Sequence, residues 1–302
     1  MNTKQYIDLQ INGYMGVDFS DPTMTEDQFL ATADHIFQSG TVLFLPTIVT
    51  SSREVYLRNL SIMRKAAESR GLLKNIPGAH LEGPFISRKP GAVGAHIPDF
   101  VHEPDCTFFD EIMDASEGFV SLLTVAAEVP GVETLISHAK KSGVLVSCGH
   151  QLAQSADLAR AAEAGAELLT HLGNGCPNLL DRHNNMIWAG MANDALTAMI
   201  IADGHHLPAD LVKCIIRCKG VDKVIITSDA APIAGFPPRR YQCWGNDAIL
   251  EPNGKFHNPQ KGCLVGSSVC VRQCADFLAS IGYSEDEITM MTYTNPLRML
   301  GR

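Results

Sequence analysis

The 302-residue sequence has no C-x-x-C pair, and its nine cysteines are an odd number scattered along the chain. That spacing supports neither a disulfide framework nor a cysteine-ligated zinc site, and it assigns the thiols to packing in a reduced protein. No apolar run approaches the length needed to span a bilayer, and the opening "MNTKQYIDLQING" lacks the basic flank, long apolar core and small-residue cleavage site of an export signal. The expectation is a cytoplasmic protein that does not engage membranes. Clusters of lysine and arginine are missing as well, and the formal net charge is -9. Such a chain carries no footprint for nucleic acid, and an anionic small molecule would need a local cationic pocket. Linkers, low-complexity tracts and internal repeats are also absent, so residues 1–302 are expected to form a single domain. With 45% hydrophobic residues there is material for one large core.

What the chain does contain is an alternation. Eight short apolar runs rich in β-formers lie at Tyr6 to Asn12, Thr41 to Thr47, Ile76 to Glu82, Val120 to Glu128, Val144 to His150, Glu167 to Leu172, Thr197 to Asp203 and Lys223 to Asp229. Amphipathic helical segments fill most of the gaps. One starts behind Thr25 as its cap and stops at Gly40, "VETLISHAKKSG" stops at Gly143, and "SADLARAAEAG" runs from Ser155 to Gly165. Strands alternating with crossover helices make an α/β protein with parallel strands. Eight such units closing on themselves form a (β/α)8 TIM barrel of roughly 250 residues. A doubly wound open sheet is the alternative. Three stretches rich in Gly, Pro, Asn and His, at Ile86 to Cys106, Gly173 to Met191 and Ala230 to Gly262, read as irregular loops. In a barrel they all emerge at the C-terminal rim, where catalytic groups sit.

Polar residues gather at that address. Glu82 ends the third run, His150 the fifth, His171 lies near the end of the sixth, Asp203 ends the seventh with His205 and His206 beyond it, and Asp229 ends the eighth. Two imidazoles and a carboxylate suit zinc or iron, and three protein ligands leave a position open for water, as catalytic rather than structural sites do. Amide hydrolysis is the chemistry such an ion supports once a carboxylate stands by to shuttle a proton, and Asp229 is the candidate. Each of these residues also has a plainer reading. A histidine after a strand is commonly a hydrogen-bonded core residue, and Ser228-Asp229 is ordinary chemistry for starting a helix. His80, two residues before Glu82, reads as core or as support for the site. His35, His102, His138 and His257 read as solvated or packing, and Cys148 and Cys176 as packing. Of His205 and His206, either can point inward, since one residue of register exchanges them.

At these residues the sequence resembles the N-acetylglucosamine-6-phosphate deacetylases of the amidohydrolase superfamily. The matching segments are "DLQINGYMGVDFS", "FLPTIVTSS", "HLEGPFIS", "GAVGAHIPDF", "SCGHQLA", "LTHLGNGCPNLLDR", "IIADGHHLP", "TSDAAPIAG" and "LVGSS", in family order and spanning nearly the whole chain. The resemblance implies a metal-dependent hydrolase that removes the acetyl group of N-acetylglucosamine 6-phosphate. Glu82, His150 and His171 would bind one divalent ion, zinc in the first place or iron. Asp229 would activate water and protonate the departing amine, and His96 would polarise the acetyl carbonyl. His206 would contact the substrate, the backbone N–H groups of Asn174 and Gly175 its phosphate, and Arg182 would reach that phosphate from a neighbouring subunit of a homodimer. Where many amidohydrolases carry His-x-His for a second metal, this chain has Gln10 and Asn12, so one ion is expected. The family usually wraps a small β-sandwich around the barrel from both chain ends, and with the first run starting at Tyr6 and the sequence ending at Arg302 the expectation is either a naturally minimal barrel or one whose termini were lost. Other acylated amino sugars, acylated amino acids or cyclic amides are the alternative substrates, and a barrel that only binds a sugar phosphate is a further alternative.

Overall fold

Eight parallel strands follow one another in chain order around one sheet: β1 (Tyr6–Ile11), β2 (Thr41–Val49), β3 (Ala79–Glu82), β4 (Val120–Val125), β5 (Leu145–Cys148), β6 (Leu168–Leu169), β7 (Thr197–Ile200) and β8 (Val224–Ile226). The computed structural model describes residues 4–302, and each strand falls within or overlaps one of the eight apolar runs. The seam between β1 and β8 is closed by individual bonds rather than a full ladder. Asp229 N–H donates to Gln10 O at 3.0 Å and Asn12 N–H to Ala230 O at 2.9 Å. The buried Asp8 carboxylate accepts from the hydroxyls of Thr227 at 2.7 Å and Ser228 at 2.5 Å. The sheet is therefore a barrel, not a doubly wound open sheet.

Helices cover the outside because their sequences put apolar residues on one stripe. In α1 (Glu26–Gln38), Phe29, Ala33 and Ile36 are buried at helical spacing, and Thr25 caps the helix in a reciprocal box with Gln28. Burying a side chain such as Phe29 contributes about 2–3 kcal/mol. The pattern repeats in α2 (Arg53–Ser69), α3 (Cys106–Ala115), α4 (Val132–Lys141), α5 (Ser155–Ala164), α6 (Met186–Ala192), α7 (Ala209–Lys219) and α8 (Val271–Ser280). Gly165 closes α5 in the left-handed conformation that its missing Cβ permits.

Inside the barrel the side chains form layers. Ile7, Leu9, Leu43, Leu45, Leu122, Leu168, Met199 and Ile225 make an apolar floor against which Tyr293, Leu297, Met299 and Leu300 from the last helical turns pack. A belt of hydroxyls lies among the buried residues: His80 Nε2 meets Thr124 Oγ1 at 2.7 Å, Thr124 meets Thr170 at 2.7 Å, and Thr170 donates to Ser147 Oγ at 2.6 Å. A register shift of β1 against β2 between Asp8 and Ile11 reverses the in-out alternation. Leu9 thus belongs to the floor while Gln10 and Asn12 turn into the mouth.

Two stretches expected to be irregular are ordered. After β8 the chain builds a four-stranded antiparallel sheet, β9 (Arg240–Cys243), β10 (Asn246–Leu250), β11 (Phe256–Asn258) and β12 (Cys263–Leu264), over its own small core of Ile233, Cys243, Ala248, Leu250, Phe256 and Val265. Its first hairpin turns through Trp244 and Gly245, both at positive φ (48° and 67°). That is the geometry of a two-residue hairpin turn written without the usual Asn-Gly. The helix α6 likewise starts inside the Gly173 to Met191 stretch, capped by the Asn185 side chain.

Candidate active site

The ends of β3, β5, β6 and β8 bring their polar residues into one cavity of about 860 Å³. Glu82 Oε1 lies 2.8 Å from His171 Nε2 and 3.1 Å from His150 Nε2, and the two Nε2 atoms are 3.1 Å apart. All three residues are buried. Three donor atoms on a triangle with edges of about 3 Å fit around one cation whose bonds are about 2.0–2.2 Å long. The His150 tautomer agrees with that use. His150 Nδ1–H donates to Ala92 O at 2.8 Å, which leaves its Nε2 lone pair facing Glu82 and His171. Among the described residues His171 Nδ1 has no hydrogen-bond partner. The residues at these positions can hold a divalent ion, and none of the cysteines joins them.

The backbone aims these groups by departing from the strand. His150 (φ 50°), His171 (φ 30°) and Asp229 (φ 51°) all adopt the left-handed region, one residue each at the end of three separate strands. Non-glycine residues held there cost about 1–3 kcal/mol each, a strain that accumulates at functional sites. Glycines line the cluster where nothing larger fits. A Cβ on Gly175 (φ 59°) would lie 3.0 Å from both His150 Nδ1 and His171 Cε1, and one on Gly94 3.0 Å from His150 Cε1.

Asp229 faces the same cavity. Its Oδ1 accepts from Gln10 Nε2 at 2.9 Å and Asn12 Nδ2 at 2.8 Å, and Gln10 Nε2 also donates to Glu82 Oε1 at 2.8 Å. Gln10 thus ties the two carboxylates together through its N–H donors, and Asn12 adds a second donor to Asp229. Burial, then the charge of Glu82, push the Asp229 carboxyl up to about 6. Burial opposes ionisation of Glu82 too, yet the His150 and His171 rings hold it well below the usual carboxylate range. Two carboxylates in one mouth are driven apart, the condition under which one stays anionic and the other exchanges protons.

His96 comes from the long β3–α3 connection. Its Nδ1 accepts the Thr50 backbone N–H at 3.2 Å, and its Nε2 lies 3.2 Å from His150 Nε2 and 3.8 Å from Glu82 Oε2. Burial, then His150, pull its pKa down to about 3, so the ring is neutral with its hydrogen on Nε2, facing the cluster. His206 lines the cavity, with Nδ1 bound to Asp203 Oδ2 at 2.7 Å, while His205 Nε2 turns outward to Asn253 O at 2.9 Å. The register question between these neighbours is thereby answered.

Asn174 and Gly175 line the cavity, but the Asn174 backbone N–H is already used, donating to His171 O at 2.9 Å. The turn that reverses the chain after His171 consumes it, and the unpartnered donor is the side-chain Nδ2. Arg182 is exposed on the β6–α6 loop and does not line this cavity. Residues that sequence reasoning passed over include Gln10 and Asn12 as hydrogen-bond donors, Thr50, Gly94, Trp244 and Lys261. Only the i, i+2 spacing of Gln10 and Asn12 carried a usable signal.

No protein-family model matches the sequence. The chain is 30% identical over 298 residues to the N-acetylgalactosamine-6-phosphate deacetylase of Escherichia coli O157:H7, covering 98% of this chain and 77% of that protein. It is 29% identical to the N-acetylglucosamine-6-phosphate deacetylase of Bacillus subtilis (strain 168), covering 98% and 74%. Among solved structures, N-acetyl-D-glucosamine-6-phosphate deacetylase from Mycobacterium smegmatis, an aspartate-to-alanine variant in complex with N-acetyl-D-glucosamine-6-phosphate, superposes with a TM-score of 0.89 at 26% identity, covering 99% of this chain and 77% of that one. The Pasteurella multocida N-acetylglucosamine-6-phosphate deacetylase gives 0.87 at 26% identity, covering 99% and 76%. With a mouth of this chemistry and relatives of this extent, the chain belongs to the family of N-acetylated amino-sugar-6-phosphate deacetylases, metal-dependent amidohydrolases that cleave an amide carbon–nitrogen bond.

Proposed function

We propose that this chain hydrolyses the acetamido group of N-acetylglucosamine 6-phosphate to glucosamine 6-phosphate and acetate. The observation that carries the reading is the triangle of Glu82 Oε1, His150 Nε2 and His171 Nε2, with edges of 2.8 to 3.1 Å, inside a cavity also lined by Asp229 and His96. We assign the three as ligands of one divalent ion, zinc or iron. Such an ion supplies Lewis acidity toward the amide carbonyl and makes water a nucleophile near neutral pH.

The chain's own groups do the rest. His96, neutral and with its hydrogen on Nε2, donates to the carbonyl oxygen as negative charge develops on it. The backbone N–H of Thr50 keeps that tautomer by occupying Nδ1. Asp229 takes the proton from the attacking water and returns it to the departing amine nitrogen. Its raised pKa suits both directions of transfer. Gln10 and Asn12 hold Oδ1 of that carboxyl, leaving Oδ2 for the proton. His206, backed by Asp203, and the free Asn174 Nδ2 are assigned to polar groups of the sugar phosphate. Arg182 is assigned to the phosphate bound in a second copy of the chain, since it stands outside the cavity of its own.

A second reading keeps the chemistry and exchanges the sugar for N-acetylgalactosamine 6-phosphate, favoured by the E. coli O157:H7 relative. Chain loaded with zinc or iron(II) is expected to release acetate from one or both compounds, the larger kcat/KM naming the substrate. Absence of acetate from both at one bound ion per chain would overturn the reading.

A further inference from the structure

The sequence has a net charge of -9, and the cavity is lined by three carboxylates, Asp18, Glu82 and Asp229. A phosphate dianion entering such a mouth needs a fixed cation. Among the described residues only one lysine or arginine lines it: Lys261, in the turn between β11 and β12 of the inserted sheet. We infer that Lys261 is the phosphate-recognising cation within the chain and a determinant of the preference for a phosphorylated sugar. The inference deepens the deacetylase reading and rests on it.

The turn is built to hold that ammonium. Asn258 Oδ1 accepts the backbone N–H groups of Gln260 at 3.0 Å and Lys261 at 3.1 Å, which fixes the path of the turn. Lys261 Nζ donates to Asn246 Oδ1 at 2.8 Å, and the buried Asn246 is itself held by Asn258 Nδ2 and by its own donation to Trp244 O. Asn246 is neutral, so it anchors the side chain without cancelling its charge. Among the described residues no carboxylate lies within ion-pair distance of Lys261. Two of the three ammonium hydrogens stay free for a ligand. Across the cavity the unpartnered Asn174 Nδ2 offers a second donor.

The test compares wild type, Lys261→Ala and Lys261→Arg on N-acetylglucosamine 6-phosphate and N-acetylglucosamine, with titration calorimetry of glucosamine 6-phosphate and glucosamine as a readout independent of turnover. Losing one hydrogen bond to a dianion at a solvent-exposed position corresponds to about a tenfold change. Lys261→Ala should therefore lower the kcat/KM preference for the phosphorylated sugar about tenfold, mainly through KM, and weaken binding of glucosamine 6-phosphate to a similar extent. Added salt should raise the wild-type KM more steeply than that of the variant. Lys261→Arg should recover most of the preference. An unchanged preference and unchanged binding in Lys261→Ala would overturn the inference and leave the deacetylase reading standing. Wild type that binds glucosamine 6-phosphate but releases no acetate would overturn the deacetylase reading, and the calorimetry alone would then decide on Lys261.

Discussion

At the scale of single residues, the site works because burial separates the proton affinities of groups a few ångströms apart. Asp229 is pushed up to about 6 while Glu82 stays anionic between two imidazoles. Asp229→Asn keeps the shape and removes the proton acceptor. It should lower kcat about 10²–10⁴-fold while metal content, measured by atomic emission, remains at the wild-type value. Asp8, which does not line the cavity, offers a separate test. Burial, opposed by its bonds to Ser228 and Thr227, raises its carboxyl from 3.8 to about 6. The folded chain therefore keeps this proton over a window in which the unfolded chain has lost it, and stability falls as pH rises from about 4 to 6. Two units at about 1.4 kcal/mol each come to about 3 kcal/mol. In urea unfolding, the stability of wild type relative to Asp8→Asn should decline by that order between pH 4 and pH 6.5. A difference that is flat with pH would show that Asp8 is already ionised when buried.

At the scale of elements, the strands were legible and the side-chain directions at their ends were not. Alternation of β-rich runs with amphipathic segments marks eight strands because each strand must bury both faces in a barrel. The ends of β5, β6 and β8, however, turn through left-handed residues at His150, His171 and Asp229; His and Asp are enriched in that region among non-glycine residues, but that weak preference does not say which of them adopt it. The bulge in β1 is equally silent in the sequence, yet it moves Gln10 and Asn12 into the mouth. The inserted sheet was hidden because its strands, RYQC, NDAIL, FHN and CL, are only two to five residues long and the Asn, Lys and Gly of its turns dominate the stretch. The connection after β6 can be tested directly. Gly175→Ala places a methyl 3.0 Å from both ligand rings at a φ of 59°. It should weaken metal affinity about 10–100-fold, as displacement of the groups supporting a ligand does, and cost about 1–2 kcal/mol of stability. Competition with a chelator and thermal unfolding of the metal-free protein separate the two effects.

At the scale of the whole molecule, the barrel gathers groups from the ends of β1, β3, β5, β6, β7 and β8 and from three long connections, so binding of the ion couples to folding. A ligand that binds only the folded chain, present at 100 times its dissociation constant, adds about 2.7 kcal/mol. Chelation should therefore lower Tm by several degrees, and zinc or iron(II) should restore it. Substitution of His150 by Ala should abolish that response. Arg182, exposed and absent from the lining of its own cavity, makes a prediction about assembly. Mixing Arg182→Ala with Asp229→Asn should yield acetate-releasing activity above either variant alone, because one mixed pair contains an intact Asp229 beside a donated Arg182. No gain on mixing would exclude action between chains.

The barrel, the strand ends that carry Glu82, His150, His171 and Asp229, and through the motifs the family could all be read from the order of residues. Periodicity and strand-end position are local properties, written in residues that are near one another along the chain. Tertiary structure alone decided that the two Nε2 atoms and Oε1 share one point, that His206 rather than His205 faces inward, and that Lys261 borders the cavity. Those are distances between residues up to about 180 positions apart in the chain, as from Glu82 to Lys261. They follow from how strands close and turns bend, which side-chain order does not encode at short range.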